Sequence, residues 1–266
     1  MGEDVTYRQA DLPGVRLCFS DSGGAGVPIV LLHPNTGTSA IWAKQVPALV
    51  EAGFRAIAFD RRGWGGSTPV PETGRQPGTI AEDLDALADH LGLDRFHLLG
   101  VAGGGFAALD YAAWCPHRVL SLVVAASNGQ FAEPVLQEVY GRLTPPEFKA
   151  LPAVLREVGA TYRGFDPHGT ASWIAIEHAA QQKGTVAQPM RTPNTFAKLA
   201  AIACPVLVMA AGADLYAPPA LMKLWAAHLP RHEWHVLPEA GHAINWEQPE
   251  AFNARVIAFL RRVDAA

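Results

Sequence analysis

One stretch limits what this chain can fold into more than any other: Phe96-His97-Leu98-Leu99-Gly100-Val101-Ala102-Gly103-Gly104-Gly105-Phe106-Ala107-Ala108-Leu109-Asp110-Tyr111. A short apolar run ends at Gly100, a glycine-dense turn follows, and an alanine-rich segment of helical character comes next. Glycines two places before and after Ala102 let a strand and a helix approach closely and leave the residue between them raised on a strained turn. The frame fits G-x-S-x-G everywhere except its centre, where a methyl group stands in place of a hydroxyl.

The segments on either side repeat one rhythm. Apolar runs at 28–32, 54–59, 96–99 and 119–125 read as buried strands. Helical patterns at 41–52, 79–91 and after the glycine turn separate them, with Thr79 and Glu82 spaced for a capping box. Two strands, 5–9 and 15–20, precede the first of these runs. Strand–helix alternation of this kind predicts a mostly parallel sheet with helices on both faces. The rhythm stops between about 131 and 200, where Pro145-Pro146 and later Pro/Gly breaks divide segments that look helical. It resumes with a strand at 205–211, a helix at 218–228, a strand at 233–237 and a last helix at 248–262. Residues 1–130 and 201–266 are therefore expected to form one α/β core, and residues 131–200 an inserted helical lid.

Open α/β sheets place their sites at the carboxyl ends of strands, and three such loops carry reactive side chains. The first is the turn at Ala102. The second is Gly212-Ala213-Asp214-Leu215-Tyr216-Ala217-Pro218, and the third is Ala240-Gly241-His242-Ala243-Ile244-Asn245-Trp246-Glu247. Taken singly, an aspartate in a turn is a local cap and a histidine in a loop is a packed side chain. Taken together, position 102, Asp214 and His242 follow in the order nucleophile, acid, base. His242 would take a nucleophile's proton, and Asp214 would fix the imidazole's tautomer and stabilise its charged form.

These motifs resemble the α/β-hydrolase superfamily over nearly the full length of the chain. The likeness rests on His33-Pro34-Asn35 after a core strand, on Asp60-x-Arg62-Gly63-x-Gly65-x-Ser67, on the glycine turn, on Gly212-x-Asp214, and on Gly241-His242 with Glu247 and Pro249. The resemblance implies an α/β-hydrolase fold and an oxyanion hole made by the backbone N–H groups of Gly103 and Asn35. Pro34 stands where the family usually has glycine, but the expected donor is the next residue. Within the lid, Trp173 is a candidate substrate contact. The segment around His242 is also similar to that of C–C bond hydrolases of the same fold, although the 33–39 loop lacks their extra glycines.

Alanine at position 102 admits two explanations. Either serine is the native residue and this chain is an inactivated variant, or alanine is native and the protein binds a ligand or works through His242 alone. The intact surroundings favour the first. The implied activity is hydrolysis of a small, moderately apolar carboxylic ester, lactone or related acyl compound through an acyl-enzyme, with no cofactor and no metal. A dinucleotide-binding turn is disfavoured, because the glycines read G-x-x-G-x-G rather than G-x-G-x-x-G.

Composition narrows the rest. At 266 residues with 49% hydrophobic side chains, the chain can bury one large core. A formal net charge of −4 gives no electrostatic grip on nucleic acid or an anionic membrane. Cys18, Cys115 and Cys204 form no close pair, as expected of free thiols in a reducing compartment. Met1–Asp4 show no leader pattern, and no apolar run is long enough to span a membrane. A cytoplasmic protein with a small-molecule partner is expected; oligomeric state leaves no sequence signal.

Overall fold

A computed structural model describes residues 6–266. The expected strand start at Val5 and the reading of Met1–Asp4 lie outside them. Nine strands form one sheet: β1 Tyr7–Leu12, β2 Val15–Asp21, β3 Pro28–Leu32, β4 Arg55–Phe59, β5 Thr68–Pro69, β6 Phe96–Val101, β7 Val119–Ala125, β8 Val206–Ala211 and β9 His232–Leu237. Their order is β1-β2-β4-β3-β6-β7-β8-β9, with β5 paired to β2. The first two strands run antiparallel, and every pairing from β4 through β9 is parallel. The strand–helix rhythm predicted a mostly parallel sheet, and the architecture is the α/β-hydrolase fold that the resemblance implied.

Two-sided burial explains why the central strands read as unbroken apolar runs. Val30, Leu32, Leu98, Val124 and Val208 face one core. Their neighbours Ile29, Leu31, Leu99, Val123 and Leu207 face another, on the opposite side of the sheet. Because side chains alternate across a strand, each face needs its own helical cover. The helices Ile80–His90 and Gly103–Trp114 cover the first face, and Pro249–Asp264 covers the second.

Several element boundaries differ from expectation for local reasons. The helix expected over 41–52 is a 3-10 turn, Ser39–Trp42, followed by a separate helix, Val46–Glu51. Pro47 opens that second helix, where its missing N–H costs no hydrogen bond. Trp42 and Leu49 are buried, whereas Val50 is exposed. At Thr79 the capping hydroxyl accepts from the Glu82 N–H at 3.1 Å. The Glu82 carboxylate returns to that hydroxyl at 2.9 Å rather than to a backbone N–H.

Between β7 and β8 the chain forms the helices Pro134–Leu143, Pro146–Lys149, Ala153–Glu157, Ala160–Phe165, Pro167–Ala180 and Phe196–Ala200. Prolines divide the segment as its sequence suggests: Pro152 precedes Ala153–Glu157, and Pro167 opens Pro167–Ala180. One isolated bridge, Trp64 to Gln181, ties this segment to the core, and another, Phe131 to Asn194, joins the two ends of the segment itself. No described helix is long and apolar enough to cross a membrane.

The glycine turn is built as its spacing requires. A methyl group on Gly100 would lie 2.4 Å from the Gly104 carbonyl oxygen, and one on Gly104 would lie 2.0 Å from that of Leu32. Ala102, held between them, has φ 51° and ψ −114°. Its N–H donates to the Ala125 carbonyl at 2.9 Å, and its own carbonyl accepts from Ser127 Oγ at 2.8 Å. A non-glycine residue held at positive φ costs about 1–3 kcal/mol. Ala102→Gly is therefore expected to leave urea-unfolding stability unchanged or raise it by up to about 2 kcal/mol. A loss of about 1 kcal/mol or more would show that this backbone is unstrained.

Candidate active site

The turn at Ala102, the loop after β8 and the loop after β9 meet at the carboxyl edge of the sheet. Asp214 is 4% exposed and His242 9%. His242 Nδ1 lies 2.8 Å from Asp214 Oδ2. The other carboxylate oxygen of Asp214 accepts from the N–H groups of Tyr216, at 2.7 Å, and Ala217, at 2.9 Å. The carboxylate is thus anchored to its own loop while it holds the imidazole. With Nδ1 engaged, the ring's other nitrogen, Nε2, is left for chemistry.

The electrostatics of His242 follow from its neighbours. Burial alone would depress the imidazole's pKa. The charge and hydrogen bond of Asp214, with the further carboxyls Glu157 and Glu247, outweigh burial and raise it. Glu247 has a second task, because its two oxygens accept from the N–H groups of Gly159, at 3.0 Å, and Gly241, at 2.8 Å. The residue before the histidine is thereby fixed to the helical segment. The Ala243 N–H donates to the Glu157 carbonyl at 3.0 Å, which repeats the link on the other side of His242.

A cavity of about 330 Å³ opens here, and Asn35, Ala102, Gly103 and His242 all line it. Among the described residues, the backbone N–H groups of Asn35 and Gly103 donate to no protein group. The two are coupled: a methyl group on Gly103 would lie 2.2 Å from Asn35 Oδ1, so only glycine allows this approach. The Asn35 loop is held by donors that sequence reasoning had not assigned to it. Arg61 Nη1 donates to Asn35 Oδ1 at 2.8 Å, and Trp64 Nε1 donates to the Asn35 carbonyl at 2.9 Å. Arg61 is 5% exposed, and burial pushes its pKa down to about 9. His33 is fully buried and held neutral by burial beside Arg61. It bonds the Pro34 carbonyl through Nδ1 and accepts from the Arg61 N–H, so its role is structural.

Of the residues singled out from the sequence, Asn35, Ala102, Gly103, Asp214 and His242 come together. Trp173 does not. It is 2% exposed, packed in the core on the second face of the sheet, and absent from the lining of this cavity. The helical segment instead contributes Arg156 and Glu157. Glu157 is 8% exposed, accepts from Thr36 Oγ1 at 2.5 Å, and has its pKa raised by burial. Nothing in its sequence neighbourhood marks it, since its place depends on how several short helices pack. Among the described residues, no group of three or more His, Cys, Asp or Glu side chains is arranged to hold a metal.

Comparison with known proteins agrees with this architecture. The family model described as "Alpha/beta hydrolase family" matches residues 29–255. A 2-hydroxy-6-oxononadienedioate/2-hydroxy-6-oxononatrienedioate hydrolase from Burkholderia vietnamiensis is 29% identical, over 93% of this chain and 92% of that protein. Among solved structures, a thermophilic esterase from Thermogutta terrifontis superposes with a TM-score of 0.81 at 26% identity, covering 96% of this chain and 99% of that one. The enol-lactonase from Burkholderia xenovorans LB400 gives 0.80 at 25% identity, covering 96% and 100%. With its sheet order, its glycine turn and its buried Asp214–His242 pair, the chain belongs to the α/β-hydrolase family.

Proposed function

We propose that position 102 is the seat of a serine nucleophile and that the site hydrolyses a small carboxylic ester, lactone or related acyl compound. The observation that carries this reading is the strained backbone at Ala102, held in the same cavity as His242 and two unpartnered N–H groups. Strain of that kind is repaid where a side chain must be presented to a substrate. The residues at 131–200 act as a lid over this cavity.

With serine at 102, the hydroxyl proton passes to His242 Nε2 as the oxygen attacks the acyl carbon. The Gly103 and Asn35 N–H groups stabilise the resulting oxyanion, and the leaving alkoxide takes the proton back from His242. Water, deprotonated by the same imidazole, then releases the acid and restores the serine. With alanine at 102 no covalent step is open. Losing a serine nucleophile costs about 10⁶-fold in kcat in such sites, so this chain binds its substrate and barely turns it over.

Two other readings have support of their own. C–C bond hydrolysis in the same fold is the alternative suggested by the Burkholderia vietnamiensis relative. Native alanine with His242 as a non-covalent base is favoured by Glu157, a buried carboxyl in the same cavity. The Ala102→Ser variant separates them. It is expected to gain hydrolysis of p-nitrophenyl esters or lactones and covalent labelling by a serine-directed phosphonate. Activity on a 2-hydroxy-6-oxo-dienoate alone would favour C–C cleavage. Rapid ester turnover by the unmodified chain would favour the non-covalent base.

The pH profile of that variant follows from the raised pKa of His242. The base must be neutral to accept a proton, so activity is lost as pH falls through the imidazole's pKa. The acid limb of kcat/KM is therefore expected above the ordinary value of 6.5. Adding Glu157→Gln removes a nearby anion that favours the imidazolium, and the limb is expected to move to lower pH. A limb that stays in place would show that Glu157 has no electrostatic hold on His242.

A further inference from the structure

Two basic side chains, Arg156 and Lys149, line the cavity around Ala102 and His242, against a single carboxyl, that of Glu157. Burial raises that carboxyl's pKa against the pull of His242 and Arg156, and its Oε2 already accepts from Thr36. Among the described residues, no ion pair joins Arg156 or Lys149 to any carboxylate, although eight other arginine and lysine side chains are paired in this way. Neither cation of the cavity is therefore engaged in an ion pair.

The hydrogen bonds of Arg156 narrow what could neutralise it. Its Nη1 donates to the Tyr216 hydroxyl, and its guanidinium lies 5.7 Å from the centre of the same ring. Tyr216 in turn packs on His242, with ring centroids 4.9 Å apart. Among the described residues, the Nε–H of Arg156 is buried without a partner and Nη2 makes no hydrogen bond. Nε and Nη2 form one straight edge of the planar guanidinium, spaced to match the two oxygens of a carboxylate. A buried donor without a partner is costly, and a ligand that supplies the acceptor recovers that cost. Lys149, exposed at the rim, adds charge without fixed geometry.

We propose that Arg156, supported by Lys149, binds a carboxylate carried by the substrate, so that the acyl compound is a half-ester of a dicarboxylic acid or a lactone bearing a free acid. This rests on the reading of Ala102 and His242 as the reacting centre. In that arrangement the carboxylate is held at Arg156 while the ester carbonyl lies at the Asn35 and Gly103 N–H groups. A cavity of about 330 Å³ suits a compound of this modest size.

The chain as it stands allows binding to be measured without turnover. Monomethyl succinate, glutarate and adipate are titrated by calorimetry beside the dimethyl ester of each. At least one half-ester is expected to bind roughly ten- to a hundredfold more tightly than its diester, as a charge-assisted pair implies. Arg156→Met is expected to bring the half-ester down to the level of the diester. Arg156→Lys, which keeps the charge and loses the flat edge, should recover only part of the preference. Equal binding of half-ester and diester, a preference that survives Arg156→Met, or no binding by any half-ester would each overturn the subsite. Phosphonate labelling of Ala102→Ser is scored separately. Labelling without an acid preference removes the subsite alone; an Arg156-dependent preference without labelling removes the nucleophile reading alone.

Discussion

The helix Gly103–Trp114 comes so near the ends of β3 and β6 that no methyl group fits between them. Leu32 of β3 lies beside Gly100 of β6 in the parallel ladder, and Gly104 closes onto the Leu32 carbonyl. That contact fixes where the helix starts, and hence where Ala102 and the Gly103 N–H point. Asn35, three residues beyond β3, then packs against Gly103 as closely as glycine permits. One tight crossing of strand, strand and helix thus sets the donor pair and the strained residue together, and the later loops are built around it.

The charged groups near this crossing are kept in place by unlike means. Asp214 is held by two backbone N–H groups and an imidazole, so both of its carboxylate oxygens are fixed by hydrogen bonds. Arg61 has no carboxylate partner among the described residues and donates to Asn35 Oδ1 and the Pro34 carbonyl, so burial costs it basicity. Arg62, next in sequence, is instead tied to the buried Asp83 at 2.5 Å. Adjacent arginines in one turn therefore do different work: one locks the turn to the helix Ile80–His90, and the other shapes the loop that carries Asn35.

Much of this was legible in the sequence because the informative residues sit at strand ends. There a short motif, an apolar run and a glycine together mark both the element and the direction in which its loop must face. Ala102, Asp214 and His242 were singled out in that way, whereas Asn35 and Gly103 came only from the resemblance to α/β-hydrolases. The helical segment offered no such handle. Its helices are short and divided by proline, and Pro167–Ala180 has no strong one-sided apolar stripe to show which residues face inward. Trp173, a candidate substrate contact by its place in the lid, is packed in the core. Arg156 and Glu157 came to the cavity through long-range packing, through contacts such as the Thr36 hydroxyl 121 positions away in sequence.

Glu247 binds the N–H groups of Gly159 and Gly241 with the two oxygens of one carboxylate. The helical segment and the histidine loop are therefore not independent parts. Sequence change within 131–200 could in principle reshape the cavity freely, as it does wherever a variable insertion sits on a fixed scaffold. Here the residues around 157–159 are spoken for, because altering their backbone would also unseat the imidazole. New substrate preferences in this lineage would have to be written into the helices on either side of that short link, with the link itself carried forward unchanged.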